Sequence, residues 1–275
     1  MKKNHFILYT LLSLTFIITL SMCTGDTQKE LNRESMIEKV IRKGTLKIGM
    51  STFLPWAMKD KNGELIGFEI DVAKRLAEDM GVKAELVPTQ WSGIIPALIT
   101  GKFDIIVGGM GITPKRNLKV NFSIPYDHTG MSLVAHKELA AGFDSLDDFN
   151  NPGVTLVVRM GSTSAAAVKK YMPKAKLHQF DDESQAVQEL LNGNAHGFVS
   201  SAPLPAFQAL KYPEKLFLPL KDNFTKEPIA FAIRKGDFDS YNVLNNWITV
   251  VTAEGWIQER KHYWFETDEW RKKIK

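Results

Sequence analysis

From Leu31 onward the apolar positions alternate between a helical spacing and short β-branched runs. "LNRESMIEKVIRKG" sets Leu31, Ile37, Val40 and Ile41 on one stripe and stops at Gly44, predicting a helix that leads into the strand "TLKIGM". "GFEIDVAKRLAEDMG" repeats the device, with Ile70, Val72, Ala73, Leu76 and Ala77 expected inside and Gly81 as the stop. The strand "VKAELVPT", the helix "WSGIIPALITG" and the strand "FDIIVGG" follow. Repeated β-α steps of this kind imply a parallel sheet with both faces covered.

A second series starts near residue 154 with the strand "VTLVVR". It continues through the helix "STSAAAVKKY", whose hydroxyls can cap its start, the strand "AKLHQF", the helix "ESQAVQELLNG", the strand "HGFVSS" and the helix "PLPAFQALK". Between the series, "HKELAAGFDSLDDFNNPG" is polar and turn-rich, with room for one short helix. The pattern predicts an α/β protein of two similar units coupled by short strands and a hinge.

Ligands of open α/β sheets bind beyond the carboxyl ends of the strands. Those ends are Ser51 to Trp56, Thr89 to Trp91, Gly108 to Arg116, Arg159 to Ser164 and Ser200 to Pro203. In "GGMGITPKR", glycines admit another group close to the backbone, and an arginine can grip a carboxylate with two prongs where lysine cannot. The stretch reads as a small-anion site. Arg159 stands at a strand end as well, and the pattern leaves cleft and surface equally open for it. His196 is expected as a satisfied core histidine, His128 lies near the hinge, and Asp181 to Glu183 read as a solvated helix start.

The N-terminus breaks the rhythm. Lys2 and Lys3 precede "FILYTLLSLTFIITLSM", and polar sequence follows Cys23, the order of an export signal over residues 1–22. A retained membrane anchor is the competing reading, because about 17–25 apolar residues can span a bilayer. Cys23 is the only cysteine, which excludes an intramolecular disulfide and metal sites built on several thiolates. "LSMC" resembles the lipobox of bacterial lipoproteins, although Met22 departs from the small residue usual before the cysteine; lipidation and plain secretion both remain open.

At 275 residues and 44% hydrophobic, the chain can bury the cores of one or two globular units. Removing residues 1–22 leaves 33 basic against 31 acidic side chains, a balance that favours neither nucleic acid nor another polyanion as partner. Phosphate loops ending in GKS or GKT, HExxH and G-x-S-x-G are absent, and the six histidines have no ligand spacing, so neither metal nor cofactor is expected.

The motifs taken in order resemble one family. "GTLKIGMSTFLPWAMKDKNGELIGFEIDVAKRLAEDMGVKAELVPTQWSGIIPALITGKFDIIVGGMGITPKR", "FSIPY", "GVTLVVRMGSTS", "DDESQAVQELLNGNAHGFV" and "EPIAFAIRKGD" are similar to the extracytoplasmic solute-binding proteins for polar amino acids, the capture components of ABC importers. The resemblance covers about residues 37–265 and implies a two-lobed type II periplasmic-binding fold with two hinge strands, closing on its ligand by hinge motion. It implies a first lobe of residues 37–133 and 227–275, a second of 134–226, and a tether over 23–36. The protein is then a monomer in the periplasm or on the outer face of the cytoplasmic membrane, touching the membrane only through a lipid on Cys23 and through the importer's permease.

The resemblance also implies the site. Arg116 grips a ligand carboxylate, the backbone at Gly109 and Gly111 offers hydrogen bonds, and Phe53 and Trp91 flank the ligand side chain. Ser162 and Thr163, with Ser164, bring the start of the "STSAAAVKKY" helix to the same carboxylate from the second lobe. Arg159, by its place at a strand end alone, and Ser201 complete the expected ligand contacts. Family members that bind α-amino acids commonly hold the ammonium with aspartates where this chain has Met50 and Ser201, and Gly111 replaces the usual hydroxyl residue. Either another acid, such as Asp127 or Asp222, takes over, or the ligand carries a carboxylate without a standard α-ammonium.

"NNWITVVTAEGWIQERKHYWFETDEW" and "FSIPY" also resemble the cyclohexadienyl dehydratases, enzymes of the same fold that act on prephenate or arogenate. Where those carry a general-acid glutamate this chain has Leu204, which has no proton to donate. A binding protein without catalytic residues is therefore the expectation, with the dehydratase as its alternative.

Overall fold

A computed structural model describes residues 34–274. The export signal, Cys23 and most of the tether lie outside the described residues.

The first helix, α1 (Met36–Lys43), opens on a reciprocal cap: the Ser35 hydroxyl accepts the Glu38 N–H at 3.2 Å, and the Glu38 carboxylate accepts the Ser35 N–H at 2.9 Å. Met36, Ile37 and Val40 face inward, whereas Ile41 is 56% exposed. The expected stripe is thus rotated, because Asp237 and Ser240 of a later helix accept the Met36 and Ile37 N–H groups and set which side of α1 meets the core.

Next come β1 (Thr45–Met50), the small ribbon β2 (Met58–Lys59) and β3 (Leu65–Ile66), then α2 (Phe68–Asp79), β4 (Lys83–Pro88), α3 (Ile94–Ile99), β5 (Ile105–Ile106), α4 (Pro114–Asn117) and β6 (Asn121–Phe122). All five residues expected inside α2 are buried. Beyond these lie β7 (Asp127–Thr129), β8 (Met131–His136), the anticipated short helix α5 (Leu146–Phe149), β9 (Thr155–Arg159), α6 (Thr163–Tyr171), β10 (Lys176–Phe180), α7 (Glu183–Leu191), β11 (Gly197–Ser201), α8 (Leu204–Lys211) and β12 (Leu216–Phe217). The chain returns through β13 (Glu227–Ile229) and β14 (Ala232–Ile233) to α9 (Phe238–Ala253) and α10 (Trp256–Lys261).

These strands form two five-stranded sheets, ordered β4-β1-β5-β14-β6 and β10-β9-β11-β8-β12. β1 is parallel to β4 and β5, and β9 is parallel to β10 and β11, as the β-α rhythm requires. The returning strands β14 and β8 run antiparallel to their neighbours. β7 and β13 pair with each other outside both sheets, β13 making one further bridge from Ile229 to Gly111, and they carry the chain between the sheets, which is the two-lobed type II fold with two hinge strands. Residues 131–133, which the resemblance places in the first lobe, pair with residues 199–201 in the second sheet.

The C-terminal segment ties the units together. Trp264 Nε1 donates to Asp71 of α2 at 2.7 Å, and the buried Trp270 ring meets Phe207 of α8 edge-on at 5.4 Å. Phe207 thereby joins the core of the first unit although its helix flanks the second sheet.

Candidate functional site

The carboxyl ends of β1, β5, β9 and β11 face one cleft, and the lobes touch across it. Gly161, at φ +73°, runs so close to the opposite lobe that a Cβ there would stand 3.3 Å from the Ser92 Cα. A side chain there would strain the backbone and press on Ser92, so glycine suits both that conformation and that approach.

Arg116 is carried by α4, whose start is capped by the Thr113 hydroxyl accepting the Arg116 N–H at 3.2 Å. Its guanidinium donates to the Gly111 carbonyl at 2.8 Å and, across the cleft, to the Gly161 carbonyl at 3.1 Å. Burial pushes its pKa down to about 10; the carboxylate of Glu227 opposes that shift and the charge of Arg159 adds to it. The group stays cationic at neutral pH. With two of five N–H donors engaged, it retains donors for a carboxylate. The start of α6 approaches the same place: Thr163 Cγ2 lies 3.5 Å from where a Cβ on Gly111 would stand. Among the flanking hydroxyls, Ser162 is engaged within its own lobe, donating to the Arg159 carbonyl at 2.6 Å and accepting the Ala165 N–H at 3.4 Å. The first N–H groups of α6 are left to act at the cleft.

Phe53 and Trp91 are both buried at the cleft wall, and the side chain between them is the chain's own Arg159. Its guanidinium carbon lies 4.9 Å from the Phe53 ring centre and 4.6 Å from that of Trp91, and Nη1 donates to Ser51 at 3.3 Å. Arg159 is 5% exposed, which resolves the choice between cleft and surface in favour of the cleft. Burial lowers its pKa, while Glu183 and Asp182 oppose that shift. Glu183 Oε1 stands 3.7 Å from Arg159 Nε and accepts the Ser200 hydroxyl at 2.8 Å. The expectation of a solvated helix start thus fails for Glu183, which turns inward because a buried guanidinium faces the start of α7. Beyond Phe53 and Glu183 the interlobe space widens into a cavity of about 580 Å³, lined also by Leu54, Asp182, Leu204 and Gln208. That volume is within the range of small-molecule sites.

Gly109 adopts φ +64°. Its N–H is directed at a buried pair beneath the loop, in which the Tyr126 hydroxyl lies 2.8 Å from both oxygens of Glu69. Burial raises the Glu69 carboxyl to about 8 and also raises the Tyr126 phenol. A protonated carboxyl under the glycine loop thus helps position it. Glu69 was legible in principle, since it lies on the same face of α2 as Val72, Ala73 and Leu76. Ser201 is half-buried at the end of β11, its backbone paired with Met131, and Met50 is fully buried beneath the cleft floor. Asp127 is held by Lys261 at 2.6 Å, and Asp222 is exposed. His196 is half-buried and accepts the Thr155 N–H at 3.2 Å, while His128 is exposed on β7.

Residues 46–267 match the bacterial extracellular solute-binding proteins, family 3. The chain belongs to that family. A putative binding component of an ABC transporter from Wolinella succinogenes, solved with lysine, is 43% identical with a TM-score of 0.78 over 84% of this chain and all of the other. The ancestral amino acid-binding protein AncCDT-1, a precursor of cyclohexadienyl dehydratase, is 41% identical with a TM-score of 0.77 over the same shares. The cyclohexadienyl dehydratase of Pseudomonas aeruginosa is 26% identical over 85% of this chain and 87% of its own length. This family member therefore has both binding proteins and an enzyme among its relatives. Among the described residues no helix is long and apolar enough to cross a membrane.

Proposed function

We propose that this protein captures an amino acid or a related small carboxylate between its lobes, outside the cytoplasmic membrane, and delivers it to the permease of an ABC importer. The meeting of Arg116, Gly111 and the start of α6 across the closed cleft carries this reading. A guanidinium and a helix N-terminus converge there from opposite lobes, so an anion that satisfies both also holds the lobes together. Phe53, Trp91, Arg159 and Ser201 line the remainder of the site. Residues 1–22 direct export, Cys23 is the lipid attachment point, and the tether runs from it to the cap of α1 at Ser35. The first lobe on this reading is residues 35–126 and 230–275 and the second 131–226, with β7 and β13 between them as the hinge.

A ligand present at a hundred times its dissociation constant adds about 2.7 kcal/mol to the unfolding free energy. Thermal-shift screening of amino acids and small carboxylates is therefore expected to produce at least one clear rise in melting temperature, and a complete panel without a shift would remove this proposal.

The dehydratase relative motivates a second reading, and Leu204 weighs against it. This residue is 2% exposed at the first position of α8 and offers no proton to a leaving group. Prephenate incubated with the protein is expected to remain unchanged; phenylpyruvate formed above the uncatalysed background would put the enzyme first.

A further inference from the structure

The proposed site holds an anion without an obvious partner for an amine. Met50 and Ser201 carry no charge, Asp127 is tied to Lys261, Asp222 is exposed, and Glu183 already faces Arg159. One carboxylate remains beside Arg116, and it comes from the hinge. Glu227 opens β13, and Thr225 Oγ1 donates to its Oε1 at 3.0 Å. Its Oε2 stands 3.3 Å from where a Cβ on Gly111 would be, on a spot that also lies 3.7 Å from Arg116 Nη1 and 3.5 Å from Thr163 Cγ2. Gly111 is thus the residue that leaves room for this carboxylate, since a serine or threonine Cβ would press on Oε2. Glu227 is near enough to oppose the fall in the Arg116 pKa, yet the two form no ion pair within 4.0 Å.

From this arrangement we infer that Glu227, reaching in from the hinge, is the acceptor for the α-ammonium group of the captured amino acid. The inference rests on the anion site proposed above. An α-amino acid carries its ammonium one carbon from its carboxylate, and the protein presents a cation and an anion as close neighbours without letting them neutralise each other. Placed between them, the zwitterion alternates charge: guanidinium, ligand carboxylate, ligand ammonium, Glu227 carboxylate. An amine-free acid at the same place leaves the Glu227 charge unanswered beside its own, in a site where charges are poorly screened. The hinge position adds a consequence, because the ammonium then touches the strand about which the lobes move.

The test is calorimetric titration of the wild-type protein and Glu227→Gln with L-lysine, L-arginine and L-glutamine, each beside its analogue lacking the α-amine. Wild type is expected to bind at least one of these amino acids at least about 10-fold more tightly than its analogue. Glu227→Gln is expected to weaken that amino acid by about 10- to 100-fold, the loss typical of a hydrogen bond to a charged group, while leaving the analogue unchanged or improved. If Glu227→Gln folds normally and keeps the full preference for the amine, the inference is overturned and the anion site stands. If the substitution fails to fold, the wild-type pairs decide alone: an analogue bound as tightly as its parent amino acid overturns the role of Glu227. A wild type that binds none of the six compounds overturns this inference, and the complete thermal-shift panel then decides the amino-acid reading.

Discussion

Replacing Arg116 by lysine is expected to cost the bound ligand roughly 2–5 kcal/mol, the range found when one partner of a desolvated, hydrogen-bonded charge pair is lost. Lysine keeps the positive charge but cannot reproduce the present geometry, in which separate guanidinium nitrogens reach Gly111 at 2.8 Å and Gly161 at 3.1 Å. The Gly161 bond crosses the cleft, so the variant loses a lobe-to-lobe tie in addition to a carboxylate grip. Its fold should survive, because the four-residue helix that carries Arg116 contributes no side chain to the hydrophobic core. Calorimetry on a normally melting Arg116→Lys protein decides the matter, and near-native affinity would end the assignment of Arg116 to the ligand.

A second large effect is expected from pH acting on the pair beneath the glycine loop. Glu69 keeps its proton in the folded chain up to about pH 8, whereas the unfolded chain releases it near 4.5. Between those values the native state binds more protons than the unfolded state, so stability is greatest at the acid end of the window and falls as pH rises through it. At about 1.4 kcal/mol per pH unit, the fall amounts to roughly 5 kcal/mol across the window and levels off above pH 8. Glu69→Gln carries no titrating proton, and its melting temperature should lack this slope. From pH 5 to 8 the wild type is expected to lose about 10 °C more than the variant. Parallel pH profiles for the two proteins would show that Glu69 titrates normally.

The elements themselves were readable because each depends on neighbours in the chain. The buried positions of α2 and the strand "TLKIGM" follow from spacing alone, whereas for α5 only the room for a short helix was legible. Ile41 defeats the same logic, since its neighbours on the helical stripe are buried by contacts with residues some two hundred positions away. Glu183 shows the limit from the other side. An acid at a helix start is ordinarily solvated, and only the arrival of Arg159 from the neighbouring strand makes its burial tolerable.

Periodicity carried the α/β class and the two series of β-α steps, and the order of the motifs carried the family, because both are local properties that survive without coordinates. The strand-end positions also singled out Arg116 and Arg159, while Phe53 and Trp91 came from the family resemblance. Tertiary structure alone decided what those side chains meet: Arg159 between two aromatic rings, Arg116 on the carbonyl of the opposite lobe, and Glu227 beside Gly111. Charge recognition depends on distances between groups that are far apart in the chain, and spacing along the sequence does not encode those distances.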